Sequence, residues 1–199
     1  MLIIECEQRS PQWFQERLGK PSSSRFGEIL TSTGEISKQR KGYLYDLAAQ
    51  IISGQSPETY ISSAMEEGIR REEESRTLYE MIYGVEVKQV GMIFPDDDKK
   101  YLCSPDGLRA DNIGLELKNV LPKTQVEYLL SKKLPSVYVP QVQGSMLVTG
   151  FKQWHFMSYC PALPPLILEI ERDEKWIEKC DKELKAFNQE LEEMVKRLA

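Results

Sequence analysis

Histidine is almost missing from this chain. His155 is the single one in 199 residues, so a Ser-His-Asp triad or a histidine-built metal site has almost nothing to work with. Cysteine is thin and scattered. Cys6, Cys103, Cys160 and Cys180 include no Cys-x-x-Cys pair, which argues against a structural zinc site, a disulfide framework or a cysteine-held iron–sulfur cluster. Reduced thiols in a cytosolic protein fit them better. No apolar run approaches a membrane span, and the apolar run Leu2–Ile4 before Glu5 is too short for a signal peptide, so a cytoplasmic protein is expected. Positive charge is not in excess either. The net charge of −5 argues against a protein that coats nucleic acid with a basic surface. It leaves room for one that grips nucleic acid in a local basic channel.

What is present is an ordinary globular composition, 41% apolar and 29% charged, in a length that suits one domain over 1–199 with its own core. Residues 11–30 read as two short helices around the turn Gly19-Lys20-Pro21. The polar stretch 31–42 reads as a loop or mobile arm, made basic by Lys38, Arg40 and Lys41. Helices are expected at 43–53, from about residue 62 to Tyr83 with Gly84 as its stop, at 124–132, and from Pro140 to Val148. Strands are expected at 85–90, 92–94, 101–103, 115–120, 153–159 and 165–171. From Asp173 onward, Ile177, Cys180, Leu184, Phe187, Leu191, Met194 and Leu198 alternate three and four apart. That spacing makes an amphipathic helix packed on its own domain, in preference to a subunit contact. The fold class is α/β, a mixed central sheet flanked by helices.

The chemistry concentrates in Ser104-Pro105-Asp106-Gly107 and Gly114-Leu115-Glu116-Leu117-Lys118. Alternation along a strand puts Glu116 and Lys118 on one face and Leu117 on the other. Asp106 lies at the bend before, where a hairpin brings it beside Glu116. Two carboxylates and an ammonium at one spot suit magnesium or manganese, which polarises a phosphate oxygen and activates water. Lys118 is then placed to orient that water or to stabilise charge in the transition state. Each half also has a plain reading: Ser-Pro-Asp-Gly is a common turn, and Glu-x-Lys a common solvated pair.

A third carboxylate comes from the long helix. At 100° per residue, Met65, Ile69, Glu72, Tyr79 and Tyr83 share a face, so Glu72 falls within an apolar stripe. A buried carboxylate needs a partner. A metal shared with Asp106 and Glu116 and a salt bridge to Arg76, one turn on, serve equally well on helix geometry.

The order Asp, then Glu-x-Lys on a hairpin resembles the PD-(D/E)xK nuclease superfamily. Within it, the chain is most similar to the phage lambda exonuclease group, the YqaJ-type viral recombinase nucleases. The resemblance starts at Trp13-Phe14-Gln15-Glu16-Arg17-Leu18-Gly19 and continues through Ser22–Ser24, Gly68 to Glu72 and Thr77–Glu80. It then takes in both motifs above, Gln141-Val142-Gln143, Ser145-Met146, Val148-Thr149 and Glu171–Lys175. It implies a restriction-endonuclease-like core and a magnesium-dependent 5′→3′ exonuclease, with manganese as a possible substitute. Such an enzyme digests one strand of linear double-stranded DNA to mononucleotides and leaves a 3′ single-stranded tail.

The resemblance also implies roles. Asp106, Glu116, the Leu117 carbonyl and Glu72 hold metal, and Lys118 positions the attacking water. Arg17, with Ser24 and Ser104, holds the terminal 5′-phosphate, for which a guanidinium fork is well shaped. Without the family, Arg17 reads as a surface partner of Glu16 or Glu28. Gln141 and Gln143 are expected near the scissile region, with a polar helix face as their plainer reading. Gly144 departs from the aromatic residue expected there. Met65 matches an apolar wedge that splits terminal base pairs, though helix arithmetic also allows it to be core. A homotrimeric ring around DNA, a single-strand annealing protein as partner and a phage or prophage origin in a bacterial cell complete what the family implies. A closed ring needs only a basic inner channel, which reconciles DNA binding with the acidic total. The rival readings are a structure-specific or restriction-like endonuclease on the same core, and a non-catalytic oligomeric module.

Overall fold

The computed structural model describes residues 1–56 and 63–198, and for 63–69 the backbone alone. A five-stranded mixed sheet runs β2 (Val87–Lys88), β4 (Gly107–Arg109), β5 (Ile113–Asn119), β6 (Gln153–Tyr159) and β7 (Leu166–Glu171). Only the β5–β6 pair is parallel. A parallel pair needs a long crossover, and here it consists of α4 (Pro122–Ser131), a short 3₁₀ turn Ser136–Tyr138 and α5 (Val139–Thr149). The buried run Trp154–Ser158 on β6 is what a strand covered on both faces requires. A two-stranded ribbon, β1 (Leu2–Ile4) against β3 (Met92–Phe94), sits apart from the main sheet. The remaining helices are α1 (Pro11–Arg17), α2 (Arg40–Ser53), α3 (Ser63–Tyr83) and α6 (Glu174–Leu198).

The two sheet faces carry separate cores. On one, Trp154 and Phe156 pack with Val142 and Met146 of α5, Leu44 and Leu47 of α2, and Leu184 and Phe187 of α6. On the other, Leu115, Leu117 and Met157 pack beneath Tyr79 of α3. The alternation of β5 therefore sends Leu115 and Leu117 toward α3, and Glu116 and Lys118 toward α5. The seven-residue pattern of α6 serves its own domain: Ile177, Cys180, Leu184, Phe187 and Leu191 are all buried. Among the described residues no helix is long and apolar enough to cross a membrane.

Several elements differ from the sequence expectation. The second helix before residue 30 is a 3₁₀ turn, Ser23–Glu28. Its serine-rich start is drawn elsewhere: the Ser23 amide donates to the Leu102 carbonyl at 2.9 Å. Residues 101–103 are no full strand and make isolated bridges, Ser22 with Leu102 and Ile93 with Cys103. Residues 85–90 contract to Val87–Lys88, while β1 and β4 are additional. The expected arm at 31–42 is anchored. Trp176 Nε1 donates to the Thr31 carbonyl at 2.9 Å, and Arg40, already the first residue of α2, forks onto Glu190 at 2.7 and 2.8 Å.

Gly114 is a tight point of the β4–β5 hairpin. A Cβ there would stand 2.2 Å from the Trp154 ring, a rigid core group. Gly114→Ala is expected to destabilise the fold by about 1–3 kcal/mol through overpacking. A lower urea midpoint at constant slope is the expected signature; an unchanged midpoint would show that the Trp154 ring yields freely.

Candidate active site

The Ser-Pro-Asp-Gly bend is stitched to β5 at two points. The Asp106 amide donates to the Leu115 carbonyl at 3.1 Å, and the Leu117 amide donates to Asp106 Oδ2 at 2.6 Å. The N–H and C=O of one strand residue point to the same edge. Since the Leu117 amide faces Asp106, its carbonyl faces that side as well, just past the end of β4. The bend thus assembles a carboxylate and a backbone carbonyl at one edge of β5.

Glu116 and Lys118 share the other face of β5, as strand alternation requires. Lys118 Nζ lies 2.6 Å from Glu116 Oε1, and Gln141 Nε2 of α5 donates to the same oxygen at 2.7 Å. Glu116 is 2% exposed and Lys118 25%. Burial pushes the Glu116 carboxyl above the usual carboxylate range, against the pull of Lys118. Asp106 is raised well above that range by burial first, then by the charges of Glu116 and Glu72. Burial pulls Lys118 down, but Glu116 and Asp106 outweigh it and its net shift is upward. The Lys118 ammonium also lies 5.1 Å from the centre of the Tyr138 ring.

Glu72 approaches from α3 and acts electrostatically on both other carboxylates. In this structure its oxygens are held by two guanidinium groups, Arg76 Nη2 at 3.3 Å on Oε1 and Arg9 Nη2 at 3.1 Å on Oε2. Arg76 Nε also donates to the Asp106 carbonyl at 3.2 Å, linking α3 to the bend. Among the described residues no three His, Cys, Asp or Glu side chains stand close enough to hold a metal as they are. The donor set nevertheless suits a hard divalent cation. Asp106 and Glu116 repel each other in a buried setting, Lys118 offsets both in part, and a backbone carbonyl lies on the edge beside Asp106.

A second cluster is built around α1. Arg17 lies 4.1 Å over the Trp13 ring and donates to Ser22 Oγ at 3.1 Å, and Ser22 Oγ is 2.9 Å from Ser24 Oγ. Trp13 Nε1 donates to Ser104 Oγ at 3.1 Å, so the indole joins Arg17 to the motif that carries Asp106. Glu16 pairs with Lys99 and Glu28 with Arg25, which meets the surface alternative weighed for Arg17. Buried Cys103 is within electrostatic reach of both clusters. Burial and then Glu116 push its thiol up, and Arg17 pulls it down.

The structure thus brings Asp106, Glu116, Leu117, Lys118, Glu72 and Gln141 to one place, and Arg17, Ser24 and Ser104 to an adjoining one. Gln143 is a correction. It is 5% exposed, and its amide caps the β7–α6 junction, donating to the Glu171 carbonyl at 2.9 Å and accepting from the Asp173 amide at 2.8 Å. The side chain of Met65 lies outside the described residues. Gly144 has no space for an aromatic side chain, because a Cβ there would meet the Phe26 ring at 2.4 Å. Sequence reading missed Trp13 as a link, Ser22 as the direct partner of Arg17, Tyr138, and Arg9. The Ser22-Ser23-Ser24 run was a usable signal; nothing local marked Arg9.

Residues 12–152 match the YqaJ-like viral recombinase domain. Among solved structures, an alkaline exonuclease (LHK-Exo) from Laribacter hongkongensis superposes with a TM-score of 0.85 at 31% identity, over 95% of this chain and 96% of that one. The same enzyme in complex with dAMP gives a TM-score of 0.84 at 30% identity with the same coverage. A phage-related exonuclease from Haemophilus somnus 129PT, at 13% identity, shares the fold over 90% of this chain and 96% of that one, with a TM-score of 0.69. No curated protein matches the sequence.

Proposed function

The chain belongs to the YqaJ-like viral recombinase domain family, and from that premise we propose that it is a magnesium-dependent 5′→3′ exonuclease acting on linear double-stranded DNA. The observation that carries the reading is the β4–β5 hairpin, which holds Asp106 against the Leu117 amide at one edge of β5 and pairs Glu116 with Lys118 on the adjoining face. Similarity at 31% identity to a protein described as an alkaline exonuclease supports nuclease activity, and the dAMP complex of that enzyme supports a mononucleotide product.

In this reading Asp106, Glu116, Glu72 and the Leu117 carbonyl hold magnesium, with manganese as a substitute. A cation held there would neutralise charge on the scissile phosphate and lower the pKa of a bound water. Lys118, fixed by Glu116 on one side and by the Tyr138 ring on another, orients the attacking water and balances charge on the phosphate. Gln141 holds the Glu116 carboxylate in its rotamer. Arg17, held over the Trp13 ring, presents its fork with Ser22, Ser24 and Ser104 to the terminal 5′-phosphate. Repeated cycles leave a 3′ single-stranded tail, the substrate of a single-strand annealing partner. A homotrimeric ring belongs to the same proposal and is read by light scattering.

The test uses linear duplex with a 5′-phosphate, linear duplex with a 5′-hydroxyl, and a covalently closed circle, each with magnesium. The expected result is mononucleotide release from the first, slower release from the second and none from the circle. Arg17→Lys keeps the charge and loses the fork. It should slow the phosphorylated end about 10-fold or more and narrow the difference between ends. Cutting of the circle would replace the exonuclease reading with an endonuclease one. Inactivity on all three, together with no magnesium binding, would leave a non-catalytic module.

A further inference from the structure

The two guanidinium partners of Glu72 differ in how firmly they are held. Arg76 is 11% exposed and comes from the same helix, one turn on. Besides Glu72 it holds the Asp106 carbonyl, and with the Gln89 amide assigned so that its oxygen faces Arg76, that oxygen accepts from both terminal nitrogens at 2.7 and 2.9 Å. Gln8 reinforces this by donating to the Pro105 carbonyl at 2.9 Å and the Val90 carbonyl at 3.0 Å. Both carbonyls around the Pro105–Asp106 bond are therefore fixed by side chains.

Arg9 is 33% exposed and sits on the chain between β1 and α1, with its backbone in the left-handed region at φ +66°. A polar cavity of about 320 Å³ opens here, lined by Arg9, Glu72 and Arg76 together with Gln8, Glu73 and Gln89. Arg9 thus has water and space to move into, whereas Arg76 is fastened on three sides.

We propose that Arg9 is a displaceable counter-ion: it covers Glu72 while the site holds no divalent cation and releases it when one binds, with Arg76 keeping the carboxylate aimed and Asp106 in place. This rests on the metal-dependent reading above. A divalent cation at ligand distance interacts with a carboxylate about twice as strongly as a guanidinium at equal distance. The exchange costs little, because Arg9 is partly solvated and can regain its hydration in the cavity. Arg9 then sets the cation concentration at which the third carboxylate joins the site.

Calorimetric titration of the full chain with manganese tests this without turnover. Arg9→Ala is expected to bind manganese roughly two- to fivefold more tightly than wild type, the range an exposed ion pair commands. Arg76→Ala is expected to bind more weakly. In a Glu72→Gln background, Arg9→Ala should give no gain, because the pair it competes for is gone. Equal or weaker binding by Arg9→Ala overturns the proposal. So does a gain that persists in Glu72→Gln, since Arg9 would then act only as a distant charge. Wild type that binds no manganese at all removes the metal reading itself, an outcome distinct from wild-type binding that Arg9→Ala leaves unimproved.

Discussion

Asp106→Asn is expected to melt at a higher temperature than wild type at neutral pH while losing nucleotide release by about 10³-fold or more. The structural basis is the crowding of negative charge. The Asp106 carboxyl is raised by burial and by the charges of Glu116 and Glu72, and Lys118 and the Leu117 amide relieve it only in part. A carboxyl raised above its unfolded value binds its proton more readily in the native state. Stability then rises as pH falls through that raised value toward the unfolded one, and the cost is fully present above it. Asparagine keeps an oxygen for the Leu117 amide, now 2.6 Å from Oδ2, and removes the charge. The gain should read as about 2–4 °C for each kcal/mol of relieved repulsion in a chain of this size. Two controls follow from the same sign. Lowering the pH should close the gap between wild type and variant. Adding magnesium should close it from the other direction, because wild type alone gains a bound cation. An Asn variant that melts below wild type at neutral pH would show that the carboxylates are not in conflict, and the main argument for a cation at this edge would go with it.

That conflict was partly visible in the sequence. Asp106, Glu116 and Lys118 could be placed because a hairpin and strand alternation are local rules, and the structure keeps both. Glu72 could be put in an apolar stripe from helix periodicity, which offered Arg76 and a metal as partners without choosing between them. One of its two partners, Arg76, is four residues on; the other, Arg9, is 63 residues away and arrives by tertiary folding. Gln143 shows the same limit. A glutamine two residues beyond Gln141 faces another direction on a helix, and its amide finds the backbone of the β7–α6 junction. The short elements failed for a different reason. Leu2–Ile4 and Gly107–Arg109 are three residues each, too short for a period to register, and exist because Met92–Phe94 and Gly114–Leu115 offer them partners. The long amphipathic α6 carried its own period and was legible throughout.

Lys118→Ala is expected to damage stability and activity by separable routes. Glu116 is 2% exposed and has the ammonium at 2.6 Å and the Gln141 amide at 2.7 Å. Without Lys118, the carboxylate keeps one neutral donor in a setting that already pushes its proton affinity up. Breaking a buried pair by removing one partner costs about 3–5 kcal/mol. Because Lys118 is a quarter exposed and water can follow its departure, about 1–3 kcal/mol is the better expectation here. The stability part should vanish in the double variant Lys118→Ala/Glu116→Gln, where a neutral amide replaces the stranded charge. It should also shrink on adding magnesium to the single variant, since a cation replaces the lost positive charge. Activity should follow neither rescue. Losing the group that orients water is expected to cost about 10²–10⁴-fold, and restoring charge balance does not restore a donor at that position. A Lys118→Ala enzyme that recovers full turnover in magnesium would reduce Lys118 to a counter-ion for Glu116, and the water would then have to be oriented by another group.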